Sequence, residues 1–167
     1  LLQYEIDTHM VDLAKDYGED NAALAYRACA DAIPMLEALA GQVRDVDFAR
    51  MRSLYYASSR WNVRAMRDEF AMRARHAFDM TWLERGEVRE RFGFDAPAAI
   101  LSALAARIDP YRMAYRLLAR LEKKGGVVYD RTAIKTMDAT SRGVTLRSDR
   151  GATIRAKHAV LAAGYAN

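Results

Sequence analysis

The stretch Ile108–Gly126, "IDPYRMAYRLLARLEKKGG", carries the clearest local signals in the chain. Asp109 offers a side-chain oxygen to the orphan amides of a helix start, and Pro110 suits the first helical position, where its missing N–H costs nothing. Met113, Leu117, Leu118 and Leu121 then recur at helical spacing and predict one buried stripe. Lys123 and Lys124 sit at the negative end of the helix dipole, and Gly125 supplies a left-handed stop. Beyond Gly126 the chain reads as short strands only: "VVYD", "TAIKTMDA", "GVTLRS", "ATIRA" and "HAVLAA", separated by Gly143 and by a turn over "SDRG", Ser148–Gly151. Helix, small meander and a final buried strand form the expected order. That strand runs into Ala162, Ala163 and Gly164, and three tiny residues at a buried strand end imply that something comes close to its backbone.

Upstream of the helix the pattern alternates between helix and strand. Leu2, Ile6, Met10, Leu13 and Tyr17 predict an amphipathic helix from the first residues, closed by Gly18. A second helix is expected from about Asn21 to Gly41, with Ala25, Ala28, Ala32, Leu36 and Leu39 on its inner face and a kink or break at Pro34. The segment "DVDFARMRSLYYASS" changes to a period of two and predicts a strand with two usable faces. "NVRAMRDEFAMRARHAF" returns to helix with Val63, Met66, Phe70 and Ala74 inward. "MTWLERGEVRERFG" reads as a brief strand followed by a helical turn or two. "APAAILSALAARI" fits helix or strand by pattern alone, and its place ahead of the capped helix favours strand.

Composition bounds the function. The 167 residues are 51% hydrophobic and 29% charged, as in a globular domain. No run of about 18 uncharged apolar residues could span a membrane, and the start lacks the basic region of a signal peptide. The lone Cys29 excludes an internal disulfide framework and fits a reducing, cytoplasmic setting. The net charge of +4 raises nucleic acid as a partner. The arginines are, however, scattered among Asp and Glu rather than gathered into a basic stripe with aromatics, so a solvated surface is the favoured reading.

Few residues suggest chemistry of their own. His9, His76 and His158 lack metal-ligand spacing, and no metal site is expected. Cys29 falls among alanines on a helix and reads as a small packed side chain. Glu5, Asp7 and Asp12 read as a solvated helix face. There is no nucleophile-elbow serine and no G-x-G-x-x-G or G-x-x-x-x-G-K-[ST] phosphate cradle. No catalytic acid or base is identified.

Three runs in order, "SLYYASS", "RFGFDAPAAILSALAARIDPYRMAYRLLARLEKKGGVVYDRTAI" and "GATIRAKHAVLAAGYAN", resemble the FAD-dependent oxidoreductases that include D-amino-acid oxidases and dehydrogenases, glycine oxidase and sarcosine oxidase. The match is strongest over Ala98–Tyr165. The resemblance implies a mixed α/β (α+β) fold: part of a Rossmann-like FAD domain plus the beginning of an antiparallel substrate domain. It assigns residues 1–44 and 107–167 to the FAD side and 45–106 to the substrate side. It makes Ile134 a backbone contact to the adenine, and Ala162, Ala163 and Gly164 the strand end lying against the cofactor. By position Gln3 and Tyr4 could approach the flavin and one of Tyr55 and Tyr56 the substrate, but plain helix positions for the first pair and cross-strand packing for the second are the favoured readings. The implied activity is oxidation of an amine or amino acid by hydride transfer to FAD, with a small-molecule substrate. The missing glycine fingerprint marks the chain as an internal piece of a longer protein, expected to hold no FAD alone and to self-associate. The alternative is a non-catalytic interaction domain of flavoprotein-like topology.

Overall fold

The computed structural model describes residues 1–164; residues 165–167, the last letters of the terminal motif, lie outside the described residues. The chain divides into two compact units, Leu1–Arg120 and Leu121–Asn167.

The first unit is organised around one strand. β4 (Ala98–Arg107) is almost wholly buried and pairs antiparallel with three others. β2 (Ala49–Tyr56) follows one of its edges from Ala99 to Arg107, with an irregularity between Met51 and Ser53. β1 (Leu2–Gln3) and β3 (Met80–Glu84) share the other edge, against Ala105–Ala106 and Ala98–Ser102 respectively. Residues buried on both faces explain why "APAAILSALAARI" lacks an alternating pattern: a central strand covered on two sides has no polar face to reveal its period.

Helices α1 (Met10–Tyr17), α2 (Glu19–Ala40) and α3 (Val63–Arg75) bury Met10, Tyr26, Ile33 and Met66 among their larger apolar side chains. Their core gathers Tyr4, Met10, Ala22, Tyr26, Ile33 and Ala106, with Phe78 packed against it. Tyr4 stacks on Phe78 at 5.1 Å between centroids and meets Tyr26 edge-on at 6.2 Å. Such pairs add about 0.5–1.5 kcal/mol each beyond their burial. α4 (Arg85–Phe92) carries Val88 into a second cluster with Leu83, Ala96, Ala99 and Leu101.

The expected helix over the first residues is corrected. Leu2–Gln3 is a strand, and helix begins only at Met10, because pairing with β4 overrides the local helical spacing. Gly18 does close α1, with φ 85°. α2 runs unbroken through Pro34. Pro34 lies exposed, and packing of Ala22, Tyr26, Ile33 and Ala40 before and after it outweighs the single hydrogen bond it removes. The buried face of α2 is also rotated from the expected one: Tyr26 and Ile33 decide it, while Ala28 is exposed. On α3, Met66 points inward as expected, but Ala74 is exposed and the charged Glu69 and Arg73 are buried instead.

α5 (Pro110–Lys123) starts as read: the Arg112 amide donates to Asp109 Oδ1 at 3.0 Å. It ends on Gly125 at φ 87°, with the Gly126 amide donating to the Leu121 carbonyl at 3.0 Å. Its buried stripe is narrower than expected. Met113 packs with Ala40 and Val46, and Leu117 is partly buried beside them, whereas Leu118 and Leu121 are exposed.

The second unit holds an antiparallel meander of β5 (Ile134–Thr140), β6 (Gly143–Ser148) and β7 (Thr153–Ala156). The "SDRG" turn closes through the Ala152 amide, which donates to Ser148 Oγ at 3.0 Å. Neither "VVYD" nor "HAVLAA" is a strand: among the described residues neither joins a ladder, and an apolar run without a pairing partner has no hydrogen bonds to make it one. Val160 is 90% exposed, so the buried strand expected at His158–Ala163 is corrected to an exposed extended segment. Among the described residues no helix is long and apolar enough to cross a membrane.

Candidate functional site

β5 is an edge strand of its sheet, so the backbone groups on its outer side have no strand partner among the described residues. Along it runs an open groove of about 640 Å³, walled by β5 residues including Ile134 and Met137 and by Val160, Leu161, Ala162 and Ala163 of the final segment. Three of the four residues singled out in the sequence, Ile134, Ala162 and Ala163, thus line one concavity. Gly164 is not among its lining residues. It has φ 59°, and a Cβ added there would meet nothing within 4 Å, so its glycine is required by backbone conformation and not by crowding within the unit.

Ile134 is 45% exposed, which removes it from the role of a plain core isoleucine. The sheet register pairs Ile134 with Ser148 and is irregular between Ile134 and Thr136. Such an irregularity re-aims the strand at its end and is common where a strand borders a ligand.

A second constellation lies in the first unit, and sequence reasoning missed it. Glu69 is fully buried, and its carboxylate closes the start of α1: Oε1 accepts from the Met10 amide and Oε2 from the Val11 amide, both at 3.0 Å. Arg73, one turn along α3, donates from Nε to Glu69 Oε1 at 2.6 Å and is 1% exposed. The Tyr26 hydroxyl lies 2.9 Å from the Thr8 carbonyl and 3.3 Å from Glu69 Oε1. Glu5 approaches Arg73 Nη1 at 3.6 Å and accepts from Ser102 Oγ, which in turn receives the Tyr4 hydroxyl. Burial, reinforced by the Glu69 charge, pushes the Tyr26 hydroxyl well above the usual phenol range. Burial likewise raises Tyr4. For Arg73, burial works to lower the guanidinium, but Glu69 and the two phenols more than offset it, so it stays charged. The available signal was the spacing Met66, Glu69, Phe70, Arg73, which puts an i, i+4 ion pair on the inward face of a helix.

The other expected positions sort plainly. Glu5 is corrected: it lies outside any helix, and its side chain is 9% exposed instead of solvated. Gln3 and Tyr4 are likewise outside a helix, and Tyr4 belongs to the core. Tyr55 packs partly buried with Met66 and Ile100 and faces the His9 ring at 5.4 Å, whereas Tyr56 meets Phe94 near the surface. His76 bonds Glu19 at 2.8 Å, Cys29 packs against the first core, and His158 is exposed. No cluster of three or more metal-ligating side chains occurs among the described residues.

No curated protein sequence matches the chain significantly. Its fold is similar to that of solved oxidase and dehydrogenase structures. Glycine oxidase from Geobacillus kaustophilus superposes with a TM-score of 0.71 at 16% identity, over 79% of this chain and 38% of that one. L-proline dehydrogenase from P. horikoshii gives 0.69 at 9% identity, over 94% of this chain and 39% of that one. Iminodiacetate oxidase from Chelativorans sp. BNC1 gives 0.59 at 22% identity, over 78% of this chain and 37% of that one. The chain therefore spans less than two fifths of the length of these structures. The mixed α/β fold with antiparallel sheets, expected from the sequence, agrees with them. A family model described as FAD dependent oxidoreductase matches residues 7–167, nearly the whole chain, and the chain belongs to that family.

Proposed function

We propose that this chain forms part of a longer flavoenzyme that oxidises an amine or amino acid, that Ile134 contacts the adenine of its FAD through the backbone, and that Ala162, Ala163 and Gly164 form the chain end lying against the same cofactor. One observation carries the placement: residues 134, 162 and 163, separated by nearly thirty positions in sequence, line the same open groove. Its composition suits a flat heteroaromatic ring. Ile134, Met137, Val160 and Leu161 offer apolar surface, the two alanines leave room for close approach, and the outer edge of β5 offers unpaired backbone groups to ring nitrogens. No glycine-rich anion cradle occurs among the described residues, so the pyrophosphate requires chain outside this stretch.

When bound, FAD supplies a hydride acceptor for the carbon next to a substrate nitrogen, leaving an imine. The part of this chain is to bind and orient. Residues 45–106 are assigned to the substrate side, with β1 lending its two residues to that sheet; residues 1–44 and 107–167 are assigned to the cofactor side. A single cysteine in 167 residues favours a reducing, cytoplasmic setting.

The test uses the complete protein, desalted after purification, with flavin visible absorbance per mole of protein as the readout. Ala163→Leu fills the groove at a residue without the positive φ that complicates Gly164. Flavin should be lost while the circular dichroism spectrum is kept. Undiminished flavin in Ala163→Leu would place the cofactor elsewhere.

A further inference from the structure

Three aromatic rings of the first unit pack on one another outside its buried clusters. Tyr56, the last residue of β2, meets Phe94 edge-on at 5.1 Å, and Phe94 lies 6.4 Å from Phe92. All three are exposed. Phe92 and Phe94 flank Gly93, whose left-handed φ of 75° ends α4, so both rings stand on a turn. Trp61, on the short 3-10 turn Arg60–Asn62 that follows β2, is 92% exposed. Large rings dominate cores and interfaces by the area they bury, and a cluster of them left in water marks a contact surface.

Arginines rim these rings. Arg85 grips Asp95 with two bonds of 2.6 Å, and with Arg89 and Arg60 it holds that carboxyl below its ordinary range. Arg60 therefore brings its neighbour Trp61 to the same edge of the unit. The Arg91 guanidinium lies 5.9 Å from the centre of the Phe92 ring. Over residues 56–64 and 85–95, five exposed arginines stand against three carboxylates, Glu87, Glu90 and Asp95. A positive rim favours a negative partner, and it disfavours a second copy of the same face, which would set arginine against arginine. A protein partner would have to supply a pocket for each ring. A bilayer interface receives rings from separate turns without one, because amphipathic aromatics settle beside the headgroups.

We propose that this end of the first unit is a peripheral docking surface for an anionic lipid membrane, with Trp61, Tyr56, Phe92 and Phe94 entering the headgroup region and the arginines over lipid phosphates. The surface shares no residue with the groove at Ile134, and it stands or falls independently of the flavin assignment.

The test is flotation of the complete protein with vesicles of phosphatidylcholine alone and of phosphatidylcholine mixed with phosphatidylglycerol. The protein should float with the mixed vesicles and not with pure phosphatidylcholine, and high salt should weaken the binding. Arg89→Gln and Arg91→Gln should each weaken it about fivefold. Trp61→Ser, at a position too exposed to threaten folding, and Phe92→Ser should each weaken it about tenfold through the lost apolar burial. Polyglutamate, a soluble polyanion, offers charge without an interface and should bind wild type and Trp61→Ser alike. Absence of flotation with the mixed vesicles would overturn the proposal, and a dimer abolished by Trp61→Ser would then give the face to a second copy. Equal flotation of wild type and both ring variants would also overturn it.

Discussion

Replacing Glu69 by Gln tests the packing of the first unit at its most consequential point. The carboxylate accepts from Met10, Val11 and Arg73 Nε and is fully buried. Gln retains one acceptor oxygen and turns an NH2 toward donors that were satisfied, while Arg73, 1% exposed, loses its neutralising partner. Breaking a buried pair from one side costs about 3–5 kcal/mol. Glu5 remains 3.6 Å from Nη1 and partly compensates, which argues for the lower end, ~3 kcal/mol. At roughly 2–4 °C per kcal/mol for a chain of this size, the melting temperature should fall about 6–12 °C. Urea unfolding measures the loss, and hydrogen exchange locates it, since the Met10 and Val11 amides should lose protection ahead of their neighbours in α1. Adding Arg73→Met to Glu69→Gln should cost less than the sum of the single changes, because the stranded charge is gone. A loss below ~1 kcal/mol, or strict additivity in the double variant, would refute the view that this buried pair anchors α1.

Other expectations rest on single contacts. Asp109→Ala should destabilise α5 by ~1 kcal/mol through loss of the bond to the Arg112 amide, measured by thermal melts; coincident melts would show that Asp109 is no cap. His76 first, then Arg75, hold the Glu19 carboxyl below its ordinary 4.5. A depressed folded value makes the stabilisation present above the unfolded pKa and lost as pH falls through the folded one, so Glu19→Gln should flatten the acid limb of stability below about pH 4.5, and an unchanged limb would contradict the pairing. In the isolated 167-residue chain, expected to hold no FAD, the exposed edge of β5 and the exposed Val160 and Leu161 invite pairing with a second copy, and sedimentation at high concentration should show at least a dimer; a clean monomer would contradict this.

Features determined locally were legible in the sequence. The start and stop of α5 are made by Asp109, Pro110 and Gly125 within one turn of the helix they bound, so spacing alone revealed them. The start of α1 was not legible, because its cap is Glu69, far along the chain, and no N-terminal box precedes Met10. The alanine-rich α2 offered little contrast between faces: Ala22, Ala23 and Ala40 are buried while Ala28 is exposed, and Tyr26 and Ile33 are the large side chains it buries. Burial of Glu69 and Arg73 contradicts the usual exclusion of charge from a core and becomes intelligible only when Met10, Tyr26 and Glu5 arrive around them. The final segment misled in the opposite direction: "HAVLAA" has strand composition, but a strand also needs a neighbour to pair with. No spacing pattern reveals that Ile134, Ala162 and Ala163 line one groove, because nearly thirty residues and a meander separate them.

The central claim is that this chain belongs to a working flavin-dependent amine or amino-acid oxidoreductase, and anaerobic reduction tests it most directly. The complete protein, purified with its flavin, is mixed without oxygen against a panel of small amines and amino acids while its visible absorbance is followed. The account predicts that at least one compound bleaches the flavin band, and that Ala163→Leu protein, stripped of flavin, shows no band to bleach. A complete protein that folds but carries no flavin, or whose flavin no amine or amino acid reduces, would contradict it.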